Sequence, residues 1–283
     1  MTDKTEKFRE CIELMQRDVA AFEAKYQGRF AEAPHVGLGN RKTRCVNEAT
    51  LPIITCHPSC LEKCAATCYV INICTKPRPN CRKVEAKNTV LRRIDPNAYY
   101  EHFYREAERL HLPIRLSDGG DFENVEQVEA CKAAARRPLT VHAILYTKRL
   151  ELLPALVDHP ANLHARYSAW EGDEAGEAEA RRLGFDVTHV VWDGSGNCPY
   201  QKSLARFLAR KHEIARALRA QGIDTKSANK RAEREAEKEI TVWHCRNCAE
   251  HGCGCCGAGD IRFNVVGEGD WALKAAEKAR EEA

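Results

Sequence analysis

A run of alternating strand-like and helix-like segments between Pro113 and Trp192 constrains this chain more than any other feature. Pro113–Leu116 reads as a short strand, Glu123–Arg136 as a helix, Leu139–Tyr146 as a strand and Leu150–Val157 as a short helix interrupted by Pro154. Leu163–Ala169 is the next strand, Glu174–Leu183 a helix stopped by Gly184, and Val187–Trp192 another strand. Strands and helices alternating at this interval build βα units, whose successive strands run parallel. The expected fold is α/β, a partial or complete (β/α) barrel with parallel strands, an N-terminal helix and a cysteine-rich C-terminal extension. Residues 1–55 would form the N-terminal helix and loop, 56–200 the βα core with a first cysteine cluster, and 201–283 a helical, cysteine-rich extension with a second metal site.

The flanks fit that division. Phe8, Ile12, Met15, Val19 and Phe22 recur at helical spacing within Thr5–Tyr26, while Gly28–Thr55 reads as irregular. Asp95-Pro96 is a helix start, an aspartate N-cap with proline at the first helical position, and Tyr99, Phe103 and Leu110 line one face beyond it. Ser203–Ala220 and Ala228–Glu239 read as polar helices, the second so rich in mixed charge that it is expected to be a solvated insertion. A strand over Ile261–Val266 and a helix from about Trp271 complete the pattern.

A chain of 283 residues buries a core without needing disulfides or a structural metal, so its 15 cysteines call for a chemical explanation. Hydrophobic residues at 43% and charged residues at 30% exclude collagen, coiled coil and wholesale disorder. The opening MTDKTEKFRE lacks the apolar region of a signal peptide, and no apolar run of about 18 residues occurs. The expectation is a cytoplasmic protein that does not span a membrane. In a reducing compartment, grouped cysteines are metal ligands or catalytic thiols more often than disulfides.

Eleven cysteines fall into two windows. In the first, Cys56, Cys60, Cys64 and Cys68 are each four apart, which puts them on one helix face or lets them converge from a loop. Thiolates suit zinc and iron–sulfur clusters alike. In the second, Cys245 and Cys248 form a CxxC pair, followed by Cys253, Cys255 and Cys256 among Gly252, Gly254 and Gly257, which let backbone wrap a metal centre. Cys198 is isolated in sequence and suits either a remote fourth ligand or a small buried residue.

Outside the cysteines, the richest motif is Arg115-Leu-Ser-Asp-Gly-Gly-Asp-Phe122, a strand running into two glycines and an acid. Gly119 and Gly120 allow close backbone approach to a ligand, and Asp118 or Asp121 could accept from an ammonium group. Asp121 also suits the N-cap of the following helix. Thr147, Lys148, Ser168 and Asp193 fall at equivalent strand ends, where parallel sheets and barrels bind ligands. Net charge is only +3, but Lys76–Arg93 carries seven Lys or Arg against one Glu, and Lys202–Arg219 six against one.

A cysteine loop before the alternating region, with a Gly-Gly-acid turn after a later strand, resembles the radical S-adenosylmethionine superfamily. There a CxxxCxxC loop holds three irons of a [4Fe–4S] cluster, the fourth iron binds S-adenosylmethionine, and a GGE-type turn binds its amino group. The resemblance implies Cys56 and Cys60 with Cys64 or Cys68 as cluster ligands. It makes Gly119, Gly120 and Asp121 the turn, with Asp121 standing where that superfamily has Glu. A closer resemblance, over roughly residues 40–265, is to the gene-product-88-like family of phage and prophage proteins. It rests on TCHPSCLEKCAATCYV, RLSDGGDF, LYTK, NCPYQ and WHCRNC in that order. It implies Cys56, Cys60 and Cys68 as the first trio, because Cys68-Tyr69 matches the family's CY pair.

Together these imply a radical enzyme that cleaves S-adenosylmethionine reductively beside Gly119, Gly120 and Asp121, with Lys148 and Ser168 among the cofactor-binding residues. Cys198, Cys245, Cys248 and Cys256 would hold an auxiliary cluster. The substrate is open, a nucleotide or nucleic acid being suggested only by the phage resemblance. The alternative is a non-catalytic zinc or iron–sulfur protein that contacts nucleic acid through Lys76–Arg93, with Tyr99 and Tyr100 stacking nearby.

Overall fold

The structure, a computed structural model, describes residues 2–38, 45–51, 53–57, 79–137, 140–169, 172–191, 199–240 and 261–264. The chain divides into two compact units, Met1–Thr188 and His189–Ala283, the division falling inside a strand. Among the described residues no helix is long and apolar enough to cross a membrane.

The first unit is a mixed α/β body. It opens with α1 (Thr2–Tyr26), β1 (Val46–Ala49), α2 (Pro79–Ile94) and α3 (Pro96–Leu110). There follow β2 (Ile114–Gly119), α4 (Val125–Ala135), β3 (Ala143–Thr147), a 3₁₀ turn at Leu150–Leu152, α5 (Leu153–Leu156), β4 (Leu163–Ala169), α6 (Glu174–Arg182) and β5 (Asp186–Val191). The first five strands neighbour one another in sequence order. The pairings β1 with β2, β2 with β3 and β3 with β4 are all parallel. The parallel α/β architecture expected from the alternation is therefore present.

Register sorts the side chains into two faces. Val46, Ile114, Ala143 and Leu163 lie side by side across four strands, and they join Leu116, Leu145 and Ala165 in one apolar core with Val90, Leu91, Phe103, Val128 and Leu153 of the helices. The alternate row is Asn47, Arg115, Ile144 and His164.

α3 shows why these residues make this element. Asp95 caps it by accepting from the Ala98 amide at 2.9 Å, Pro96 takes the first turn, and His111 ends it in the left-handed region at φ 53°. Its buried stripe of Tyr99, Tyr100, Phe103, Tyr104 and Ala107 faces the core, with the Tyr99 ring 5.0 Å from Phe103 and 5.2 Å from Tyr100. Such ring pairs add about 0.5–1.5 kcal/mol beyond their area.

Two elements differ from the sequence expectation. The Gly28–Thr55 stretch, read as irregular, contains β1, whose four residues VNEA include a buried glutamate that periodicity cannot flag as core. In the second unit, α7 (Pro199–Ala220) and α8 (Thr225–Glu239) pack as a hairpin. α8 is not solvated all round. Ala228, Ala232 and Ala236 form a buried stripe against Ile214 and Leu218 of α7, while Arg210–Glu239 and Lys211–Glu233 pair the two helices at 2.7 and 2.8 Å. The same unit holds a sixth strand, Ile261–Asn264.

Candidate functional site

The site lies at the carboxyl ends of β1 to β4, and its centre is the turn after β2. Between the paired residues Asn47–Arg115 and Ala49–Gly119 the register shifts, with Glu48 alone in β1 set against Leu116, Ser117 and Asp118. Ser117 within this bulge has φ 53°, a left-handed conformation in a non-glycine residue. Bulges of this kind re-aim side chains beside active sites. Glu48 fills the bulge from below, accepting from the Ser117 amide at 2.8 Å and from the Tyr99 hydroxyl at 2.9 Å.

Arg92 completes the support. It is fully buried and donates through Nη2 to the Asp121 carbonyl at 2.7 Å, with Glu48 at 3.5 Å and Glu123 at 3.6 Å. Burial works against its charge, and the Glu48 and Glu123 carboxylates hold the guanidinium ionised. Burial likewise pushes the Tyr99 and Tyr100 hydroxyls far above their ordinary range, so both stay protonated.

Above this layer, the turn meets the segment that leads into the first cysteine window. The Gly119 carbonyl accepts from the Thr50 amide at 2.9 Å and from the Thr50 hydroxyl at 3.2 Å. The Asp121 amide donates to Thr55 Oγ1 at 3.2 Å. Gly120 has φ +76°, and a Cβ there would lie 2.1 Å from Thr55 Oγ1 and 2.3 Å from Thr50 Oγ1. Glycine is therefore required twice, by conformation and by space. Gly120→Ala is expected to cost about 2–3 kcal/mol. Urea denaturation checks it, and removing the obstructing hydroxyl with Thr55→Ala should recover part of the loss. An unchanged midpoint for Gly120→Ala would disprove the close approach.

Asp121 joins the turn after β2 to the end of β3. Its Oδ2 accepts from Thr147 Oγ1 at 3.0 Å and from the Lys148 amide at 2.9 Å, while Oδ1 accepts from the Phe122 amide at 2.8 Å. Burial pushes its carboxyl above the usual aspartate range, against the downward pull of these donors. The carboxylate thus braces the turn against β3. It is not the N-cap of α4, a role taken by Asn124, which accepts from the Gln127 amide at 3.0 Å. Lys148 Nζ reaches on to Ser168, donating to its carbonyl and meeting its hydroxyl, both at 3.1 Å. Asp121, Lys148 and Ser168, singled out from sequence, are thereby joined in one chain of hydrogen bonds, which Thr55 and Thr50 extend to the Gly119 carbonyl.

Three residues that sequence reasoning did not single out tie this chain to the cysteines. Two of them are Thr50 and Thr55, which hold the Gly119 carbonyl and the Asp121 amide. The third is Arg149, which directly follows the YTK strand end. Its Nη2 donates to the carbonyls of Thr55 and Cys56, each at 3.1 Å, and Glu151 pairs with Nη1 at 3.1 Å. Ile53, a β-branched residue at φ 68°, marks strain in the same segment. Cys56 carries a free, half-buried thiol at this rim.

Of the remaining sequence-predicted ligands, Cys60, Cys64, Cys68, Cys198, Cys245, Cys248, Cys253, Cys255 and Cys256 lie outside the described residues, as does Asp193. Among the described residues, no three His, Cys, Asp or Glu side chains come together to hold a metal ion. The basic patch reads differently in three dimensions. Arg82 pairs with Asp18 at 2.6 Å, Lys87 donates to the Ala33 carbonyl at 3.0 Å, Arg92 is buried, and Arg93 pairs with Glu123 at 2.6 Å. Tyr99 and Tyr100 are fully buried, which corrects the expectation that they could stack on bases.

No curated protein and no solved structure matches the chain significantly. The family model described as gene product 88 matches residues 16–259, a span that takes in the cysteine windows, the bulged turn and every strand end of this site. The chain belongs to the gene product 88 family.

Proposed function

We propose that this protein is an iron–sulfur enzyme of the radical S-adenosylmethionine type, built on a partial (β/α) barrel and acting on a nucleotide or nucleic acid. The observation that carries the reading is the junction at the carboxyl rim. There Thr55 and Cys56, which open the first cysteine window, are fastened to the Gly119-Gly120 turn and to Arg149. Cys56, Cys60 and Cys68 would hold a [4Fe–4S] cluster through their thiolates. Such a cluster, reduced by an external one-electron donor protein, would supply reductive cleavage of S-adenosylmethionine to methionine and a radical able to abstract hydrogen from substrate.

This chain's own residues have narrower tasks. Gly119 and Gly120 let the turn close against Thr50 and Thr55, which brings the opening of the first cysteine window to the strand ends. Asp121, with its carboxylate engaged by Thr147, Lys148 and Phe122, is a positioning residue for that turn. Lys148 and Ser168 supply polar groups at the neighbouring strand ends. Strand order also supports the reading. Parallel strands in sequence order with right-handed crossovers put every connecting helix on one side, the topology that curls toward a barrel. Cys198, Cys245, Cys248 and Cys256 would serve an auxiliary cluster, with zinc as the alternative metal. The competing reading, a non-catalytic protein contacting nucleic acid through Lys76–Arg93, loses its best argument because that segment's described arginines are engaged within the fold.

The test is iron, sulfide and zinc analysis of anaerobically purified protein, with the paramagnetic resonance spectrum of the reduced protein recorded with and without S-adenosylmethionine. Stoichiometric iron and a spectrum shifted by S-adenosylmethionine are expected. Zinc without iron, after anaerobic cluster reconstitution has also failed, overturns the proposal.

A further inference from the structure

The mixed charge of α8, expected from sequence to be a solvated face, is sorted by the fold. Ala228, Ala232 and Ala236 bury one side of the helix on α7. Of its four glutamates, Glu233 and Glu239 are held by Lys211 and Arg210 of α7 at 2.8 and 2.7 Å, and Glu235 by Arg231 at 2.9 Å. Two cations of the Lys202–Arg219 patch are thus engaged with the acids of α8, which leaves the cations of α8 itself in excess.

That excess forms a stripe on the side away from α7. Lys226, Lys230, Arg234 and Lys238 recur at every fourth residue, so they follow one another within about a third of the helix circumference and over about 18 Å of its length. All four are exposed, and none of them forms an ion pair among the described residues. Arg231 flanks the stripe, and Glu237 is the one acid of α8 that falls within it. Asp224, just before the first turn, caps the helix by accepting from the Lys226 and Ser227 amides at 3.0 and 3.1 Å.

A row of cations without apolar or aromatic neighbours narrows the choice of partner. A helix that lies on a membrane surface needs an apolar face to insert, and the alanine face of α8 is buried on α7. Single-stranded nucleic acid is held by aromatic side chains on which its bases stack, and α8 has none. Duplex DNA needs only cations spaced along its phosphates. Its major groove, about 12 Å wide, also admits a helix of about 10–12 Å diameter, whereas the A-form groove of duplex RNA is too narrow.

We propose that the outer face of α8 binds the phosphate backbone of duplex DNA without regard to sequence. The inference deepens the functional reading above by naming the nucleic acid, and it rests on that reading only in calling the DNA a substrate.

Fluorescence anisotropy of a labelled DNA duplex of about 20 base pairs, titrated with the full chain at salt concentrations from about 50 to about 200 mM, tests it. Four or five contacted phosphates give a slope of about −4 on logarithmic axes, a loss of roughly 150–500-fold over that range. Lys230→Gln combined with Arg234→Gln should weaken binding at least about tenfold and make the slope shallower by about 2. Arg105→Gln combined with Arg109→Gln removes the same charge from the exposed side of α3 and should leave both quantities unchanged. Lys230→Arg combined with Arg234→Lys keeps the charge and should bind as the unaltered protein does. Should thermal melting show the first variant to be unfolded, Lys226→Gln combined with Lys238→Gln replaces it. Absence of binding at about 50 mM salt, equal weakening by the α3 variant, or a tenfold loss in the charge-keeping variant overturns the proposal. So does binding to single-stranded DNA, duplex RNA, phosphatidylserine vesicles or polyglutamate as tight as to the duplex. Iron measured in the same samples separates the two readings: DNA binding without iron after reconstitution sinks only the radical assignment, and iron without DNA binding sinks only this one.

Discussion

Cys56→Ala protein, purified and reconstituted without oxygen, is expected to contain no cluster at the first centre. Cys60→Ala and Cys68→Ala should match it. Three thiolates from one short segment bind a cluster cooperatively, and two leave it open to loss, so the effect is all-or-none and not graded. Cys74→Ala and Cys81→Ala are the controls. Cys81 lies in the first turn of α2 with a free, half-buried thiol, and its replacement should leave the iron and sulfide content unchanged. Equal iron loss in all five variants would remove the trio. Full retention in Cys56→Ala would detach the rim junction from metal binding altogether.

The second large effect is structural. Arg92→Met leaves the Glu48 carboxylate buried without its cation and removes the donor to the Asp121 carbonyl. Truncating one member of a buried ion pair typically costs about 3–5 kcal/mol, because the remaining charge keeps its desolvation penalty. Urea denaturation should show a loss of that order. Pairing it with Glu48→Gln neutralises the stranded carboxylate, so the double variant should be more stable than the sum of the single losses predicts. Additive losses would mean that Glu48 and Arg92 act independently. A loss below about 1 kcal/mol for Arg92→Met would show that methionine packing compensates for the whole network.

The alternating core was legible because its strands and helices differ in hydrophobic period and its breaks fall at Gly184, Pro154 and Asp95-Pro96. β1 was not, because its identity depends on Glu48 being neutralised by Arg92 and accepting from Tyr99, neither of which is local in sequence. The same contrast holds at the site. Gly119, Gly120 and Asp121 announce a turn within four letters, and Lys148 and Ser168 can be found by placing strand ends. Thr50, Thr55 and Arg149 carry no such mark, since each acts through a partner remote in the chain. Asp121 was legible as a residue but not as a role. Its brace on β3 depends on Thr147 and Lys148, one crossover away.

The clamp that Arg149 places on Thr55 spans 94 residues of chain. On a ribosome adding about 5–20 residues per second, that interval lasts roughly 5–20 s. For most of it, the cysteine window has been made while the strand end that fastens it has not. A centre that needs this clamp would be installed only after β3 has joined the sheet. Until then its thiols depend on the surrounding redox conditions for protection, which makes the oxygen exposure of the nascent chain a determinant of yield.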